Sequence, residues 1–392
     1  MRRAAWIAAA AIAGATLILG LVVAGRDGTE PGRHAPAAVA PSSTSTTPPA
    51  QERAPSTLLV WTSGGLPPGF GEQVGALEDV ERLTLVSGDL VDVTASFDAS
   101  GRAVDTVPAG MRIPLDAIAV DPASYPSFVD EGSREVLRSL EPGETVLGAT
   151  SARLRRLAAG GVLELAGERR LTVAGIVPDE AVGAAELVVA SPDATIATPR
   201  FLLVAYSGAR PAIEEAISAL APSTRVRFRA PGEARFLRHA DLVLPQALVK
   251  EQFGEFAYAP GADRFVVVDT SFTAEYVVTE TVPILGAVTC HRAVIPALAG
   301  ALGELEALGL GSLVDPAGYQ GCYVPSVIPG SGGLSRHSWG IAVDVNFLPN
   351  ATGLPSFADA RLIEVMDRWG FVSGAQFLET DPGHFEYVQA PA

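Results

Sequence analysis

The sequence predicts an α+β protein with two folded regions, and three observations carry that prediction. "LTLVSGDLVDVTASF" (83–97) alternates apolar and polar residues with the period of a half-buried strand. "PAIEEAISAL" (211–220) places apolar residues at helical spacing behind a proline suited to a first helical turn. The two kinds of segment are mixed along the chain, which is the α+β order.

Composition sets the bounds. The chain has 392 residues, 48% hydrophobic and 18% charged, which fits globular domains with real cores. That length accommodates about two domains. A net charge of -16 argues against nucleic acid or an anionic surface as the main partner, because both require a basic face. Lys250 is the only lysine.

Taken in order, residues 1–26 open with Arg2 and Arg3 ahead of an uncharged apolar run, Ala4 to Gly25. A run of about 20 such residues can cross a bilayer as a helix. The arginines before it place the rest of the chain outside the cell. A single-pass anchor is the expectation, with a signal peptide cleaved near "VVAG" as the alternative. Residues 27–56 are rich in Pro, Ser, Thr and Ala and read as a disordered or extended linker, with His34 inert within it.

Residues 57–245 form the first folded region. "SARLRRLAAGG" (151–161) reads as a helix with Ser151 as N-cap and a glycine stop. "VLELAGERRLTVAGIV" (162–177) reads as two strands joined by a tight turn. No convergent set of His, Cys or carboxylate residues stands out here. A spacer or interaction domain, with another envelope protein as its partner, is the plain reading.

Residues 250–392 form the second region. Its main helix is expected within 291–311, with Pro296 near its start, and a second helix within 357–370. Strands are expected at 340–347 and 384–388, in a small antiparallel sheet. In an exported, oxidising compartment Cys290 and Cys322 read as a disulfide. A Cys-Cys-His zinc site is the competing reading.

The chemistry is concentrated in "LSRHSWGIAVDVN" (334–346) and "ETDPGHFEYV" (379–388). Strand alternation puts Ala342, Asp344 and Asn346 on one face, with His337 on the loop leading in. A carboxylate among valines calls for a partner or a metal. His384 and Glu386 alternate with Phe385, so both point one way. Two imidazoles and one carboxylate, His337, Asp344 and His384, leave a fourth tetrahedral position for water, as catalytic zinc requires. Asp381, three residues before His384, is the candidate general base. Simple turn-capping histidines are the bland alternative.

The pattern S-x-H-x-x-G-x-A-x-D-x-N followed by D-x-x-H-F-E resembles the zinc peptidases that include vancomycin-resistance type D-alanyl-D-alanine carboxypeptidases and L-alanyl-D-glutamate endopeptidases. "FGEFAY", "GYQGCYVPSVIPGSGGLSRHSWG" and "DRWGF" stand in that family's order. The resemblance implies zinc on His337, Asp344 and His384, Asp381 as base and Ser335 beside the substrate. Apart from the resemblance, Glu386 reads as a partner of a zinc histidine, a ligand for a substrate amine or a member of a structural salt bridge. The family carries an arginine after "GCYVP", where this chain has Ser326, with Arg336 as a conceivable substitute. An oxyanion donor of that kind is worth about 3–4 kcal/mol in the barrier. More weakly, "GETVLGATSARLRRLAAGGVLELAGERRLTVAGIVPDE" resembles the extracytoplasmic core domain of export-type ABC permeases.

The resulting expectation is a membrane-anchored, extracytoplasmic zinc peptidase acting on peptidoglycan stem peptides, as an endopeptidase or a carboxypeptidase. Ser326 keeps a non-catalytic, zinc-containing peptide-binding module open. An envelope interaction protein built around the first region is the third reading.

Overall fold

Long alternating segments become the framework of the first region. A computed structural model describes residues 56–235, 243–329, 333–350, 352–353 and 358–388. The expected anchor, the linker up to residue 55, His34 and His239 lie outside the described residues. Among those described, no single helix is long and apolar enough to cross a membrane.

Ten strands of the first region share one sheet. They are β1 (Ser56–Thr62), β2 (Val80–Phe97), β3 (Ala103–Thr106), β4 (Ile113–Val120), β5 (Glu144–Gly148), β6 (Val162–Leu165), β7 (Arg170–Val177), β8 (Leu187–Ala190), β9 (Pro199–Tyr206) and β10 (Val226–Arg229). Their order is β10-β1-β9-β2-β4-β8-β5-β7-β6, with β3 on β2. The 18 residues of β2 are long enough to serve two sets of neighbours. Its first half pairs with β9, its middle with β4, and its end, Val93 to Phe97, with β6. The path from β2 through β4, β8, β5, β7 and β6 therefore returns to β2. Val93, Leu115, Leu147, Leu163, Leu171 and Leu187 fill one buried cluster on these strands. Val86, Ile118, Val146 and Val188 belong to a second cluster, with Leu137 of helix Glu131–Arg138.

The hairpin read from 162–177 is β6 and β7, in antiparallel register from Val162↔Thr172 to Glu164↔Arg170. The helix read from 211–220 spans Arg210–Ala219 with proline in its first turn. One reading is corrected. The helix expected to start at Ser151 spans Ala149–Arg155, and its N-cap is Gly148. Asp179 decides this from 29 residues away, taking the Thr150 N–H at 3.0 Å and the Thr150 hydroxyl at 2.6 Å. A distant carboxylate thus does the capping work that Ser151 was expected to do.

The described residues of the second region form three small antiparallel sheets. β11 (Tyr258–Pro260) pairs with β12 (Val266–Val268), and β13 (Val277–Val282) with β14 (Gly286–His291). β15 (Ala342–Asp344), β17 (His384–Tyr387) and β16 (Phe371–Ser373) form the third, with β17 central. Helix Ile295–Ala307 starts later than its apolar pattern does, because Pro296 belongs in a first turn. It packs with helix Ala360–Arg368 over a core that includes Leu298, Leu302, Leu305, Leu362, Val343 and Phe385. Cys290 at the end of β14 and Cys322 are disulfide-bonded.

Residues Ala54–Ala392 form one compact unit. The two regions meet through the paired backbones of Arg112 and Tyr258, at 2.8 and 2.9 Å. They also meet through Lys250, 1% exposed, whose ammonium lies 2.7 Å from Glu186 Oε1 and 3.1 Å from Glu255 Oε1.

Candidate metal centre

Strand register brings the chemistry together. Asp344 ends β15 directly opposite His384, the first residue of β17. Their side chains leave the same face of the sheet, while Phe385 is fully buried in the core behind it. His337 comes from the turn Arg336–Ser338, capped by Ser335, whose hydroxyl accepts the His337 N–H at 3.3 Å. That turn ends at Gly340, φ +68°, where a Cβ would stand 2.7 Å from the His291 nitrogen. Only glycine fits so close to β14 in that conformation.

One ligand atom from each of His337, Asp344 and His384 lies within 4.8 Å of the other two. His337 Nε2 is 3.3 Å from His384 Nδ1. The Asp344 carboxylate lies 3.2 Å from His337 Nε2 and 2.8 Å from His384 Nδ1. The far side of each ring is already engaged. His337 Nδ1 is 3.0 Å from the Cys322 carbonyl, and His384 Nε2 is 3.3 Å from Glu386 Oε1. Outer partners of this kind select the ring nitrogen that faces inward. The donor set, two imidazole nitrogens and a carboxylate oxygen, suits a zinc-type divalent ion, so the residues present fit one.

The electrostatics follow from this packing. Burial works against a charged His384, but hydrogen bonds to Asp344 and Glu386 outweigh it and raise the imidazole to about 10. Burial pushes Asp344 upward, yet the two histidines hold it far below the usual carboxylate range. Glu386 is likewise lowered, against its burial, by His384 and Arg336. A divalent cation would take the place of the protons shared among these groups.

The remaining predicted residues take separate positions. Asp381 is half-buried in the turn before β17. Its N–H donates to Gly374 at 2.9 Å, and its carbonyl accepts the His384 N–H at 3.0 Å. Burial raises its carboxyl, His384 opposes that, and Asp344 adds to it, so Asp381 feels the cluster's charge. Ser326 is 4% exposed, and its backbone is tied to Ser338 Oγ by 3.0 Å bonds in both directions. Its carbonyl also accepts the Ser335 N–H at 2.9 Å. Arg336 donates to the Leu244 carbonyl at 2.7 Å and lies 4.0 Å from Glu386. Its guanidinium is therefore engaged behind the cluster. Asn346 departs from the face predicted for it. With φ +53° it leaves the strand and bonds Asp315 and Leu313 at 2.7 Å.

Two neighbours escaped sequence reasoning. The Cys322 carbonyl orients His337, and a backbone oxygen leaves no mark in a residue pattern. Phe377 places its ring 6.0 Å from that of His384, from a turn whose path the sequence does not display.

Residues 329–387 match the family model described as D-alanyl-D-alanine carboxypeptidase. The match spans all three cluster residues and Asp381. No curated protein matches the chain. Among solved structures, the periplasmic region of MacB from Actinobacillus actinomycetemcomitans is similar at 10% identity and a TM-score of 0.30, covering 45% of this chain and 88% of that one. The extracellular domain of the noncanonic ABC-type transporter YknZ from Gram-positive bacteria is similar at 8% identity and a TM-score of 0.28, covering 44% and 98%. The resemblance to D-alanyl-D-alanine carboxypeptidases drawn from the sequence thus recurs in the family match. Likeness at that TM-score says nothing about what this chain does.

Proposed function

We propose that this chain is a membrane-anchored, extracytoplasmic zinc peptidase that hydrolyses peptidoglycan stem peptides. The observation that carries the proposal is the inward-facing His337–Asp344–His384 cluster, set within the stretch that matches the carboxypeptidase family. His337 Nε2, His384 Nδ1 and the Asp344 carboxylate would hold the ion. Zinc, when bound, supplies Lewis-acid polarisation and a water acidified to a pKa of about 7.

The chain's own groups supply the rest. Glu386 and the Cys322 carbonyl keep both imidazoles in register. The Asp381 carboxylate accepts a proton from the attacking water and returns it to the leaving amine nitrogen. Its burial, which raises its affinity for a proton, suits that exchange. Ser335 holds the His337 turn closed beside the substrate. The apolar segment before residue 26 would anchor the chain, with the folded regions outside the membrane.

The test is digestion of purified stem peptides, read by mass spectrometry alongside metal content. The zinc-loaded chain should cleave, while Asp381→Asn and a chelated sample should not. Cleavage indifferent to both treatments would overturn the proposal.

Ser326 favours a second reading, a zinc-containing module that binds cell-wall peptide without cutting it. Its N–H is donated to Ser338 Oγ, and Arg336 is committed to Glu386 and Leu244. If Ser326→Arg turns an inactive chain into an active one, the natural protein binds rather than cuts.

A further inference from the structure

Two of the three cluster residues lean on one short segment, residues 321–324. Cys322 offers its carbonyl to His337 Nδ1 at 3.0 Å. The Val324 N–H donates to the His337 carbonyl at 3.1 Å, and the Asp344 N–H donates to the Gly321 carbonyl at 3.2 Å. Residues 322–325 belong to no helix or strand, so no regular ladder holds them in place. β14 holds them instead. The Tyr323 N–H donates to the Thr289 carbonyl at 2.8 Å, and Cys322 is bonded to Cys290, with 5.2 Å between their Cα atoms. Both cysteines lie in the core, Cys290 at 0% and Cys322 at 1% exposure. The same strand takes the far end of the His337 turn, because the His291 N–H donates to the Gly340 carbonyl at 2.9 Å.

This arrangement makes the disulfide part of the support beneath the metal centre. A backbone carbonyl has no rotamer of its own, so its oxygen is only as well placed as the chain that carries it. His337 Nδ1 engages that oxygen, which turns Nε2 inward toward Asp344 and His384. The bridge joins positions 32 residues apart, with helix Ile295–Ala307 inside the loop. Opening it leaves the Tyr323 hydrogen bond to hold the segment on β14. The oxygen that fixes His337 then gains freedom that an ion must remove on binding. Losing an outer partner of a metal-binding histidine weakens a site about 10- to 100-fold.

We propose that the Cys290–Cys322 disulfide is a positioning element of the metal centre: closed, it sets the Cys322 carbonyl that orients His337, and open, it leaves a site that binds zinc weakly. Closure takes two protons and two electrons from the thiol pair, which an external disulfide accepts by exchange as it becomes two thiols. Metal loading then follows arrival in an oxidising compartment. The proposal rests on the zinc reading of the cluster and is independent of turnover.

The full chain is compared with Cys290→Ala/Cys322→Ala, which leaves no thiol to bind the metal itself. Zinc affinity is measured by competition with a chromogenic chelator, and folding by far-ultraviolet circular dichroism. The double variant should keep the parent's spectrum and bind zinc about 10- to 100-fold more weakly. Its cobalt(II)-substituted centre should also differ from the parent's in visible absorption. Lys250→Met, which costs stability without touching the centre, should keep the parent's zinc affinity. In glutathione redox buffers, with free zinc fixed by a chelator, zinc should shift the parent chain toward the closed disulfide by the same factor, as linkage requires. Equal zinc affinities, an equal loss in Lys250→Met, no effect of zinc on the thiol–disulfide equilibrium, or loss of the fold when the bridge opens would each overturn the positioning role. Failure of the oxidised parent chain to bind zinc would instead overturn the zinc reading itself.

Discussion

Lys250→Met should destabilise the folded chain by about 3 kcal/mol, near the lower end of the 3–5 kcal/mol that follows breaking a buried ion pair. The structure places the loss there. Lys250 directs its ammonium at Glu186 Oε1, Glu255 and the Pro114 carbonyl. Methionine keeps most of the apolar stem, so the cavity left behind is small. Glu186, 1% exposed, keeps the Asp116 N–H at 2.9 Å and the Gln246 amide at 2.7 Å on Oε2, while Oε1 loses its cation. Glu255 retains Arg155. Desolvation lowers Lys250 to about 8 against the pull of Glu186. Lys250→Met combined with Glu186→Gln removes both charges and should recover about 2 kcal/mol of the loss. Urea titration of the purified full chain, followed by far-ultraviolet circular dichroism, measures both. A single substitution costing under about 1 kcal/mol, or a double one costing as much as the single, would refute the reasoning.

Three further outcomes are expected. Glu386→Gln should lower zinc affinity about 10- to 100-fold in a competition assay with a chromogenic chelator, because it weakens the partner that orients His384. Gly374→Ala should retain zinc yet reduce kcat about 100-fold: a Cβ there would collide with the Asp381 carbonyl oxygen and stand 3.3 Å from the Asp381 Cβ, displacing the proposed base. Burial lowers His291 to about 4, so the folded state holds it neutral. Its contribution to stability is present above about pH 6.5, shrinks as the pH falls from there toward 4, and amounts to at most about 3 kcal/mol. Urea midpoints at pH 7 and pH 4.5 should differ less in His291→Phe than in the parent chain.

Some of this protein is legible in its residues one segment at a time. The β6–β7 hairpin, helix Arg210–Ala219 and the alternation of His384 and Glu386 around Phe385 all arise from local periodicity, which side-chain burial enforces within a few residues. His337, Asp344 and His384 could likewise be read as a donor set, because a metal site needs particular atoms on one face.

Tertiary structure decided what depends on partners far along the chain. Asp179, rather than Ser151, secures the start of helix Ala149–Arg155. Asn346 turns out of its strand to serve Asp315 and Leu313. The end of β2 pairs with β6 some 70 residues away, as the Thr94 hydroxyl bond to Glu164 records. The Cys322 carbonyl chooses which nitrogen of His337 faces the cluster, and β10 comes to rest against the turn that carries Gln376. Periodicity records which way a side chain faces, but a hydrogen bond across the fold depends on where two distant backbones meet, and only packing the whole core settles that.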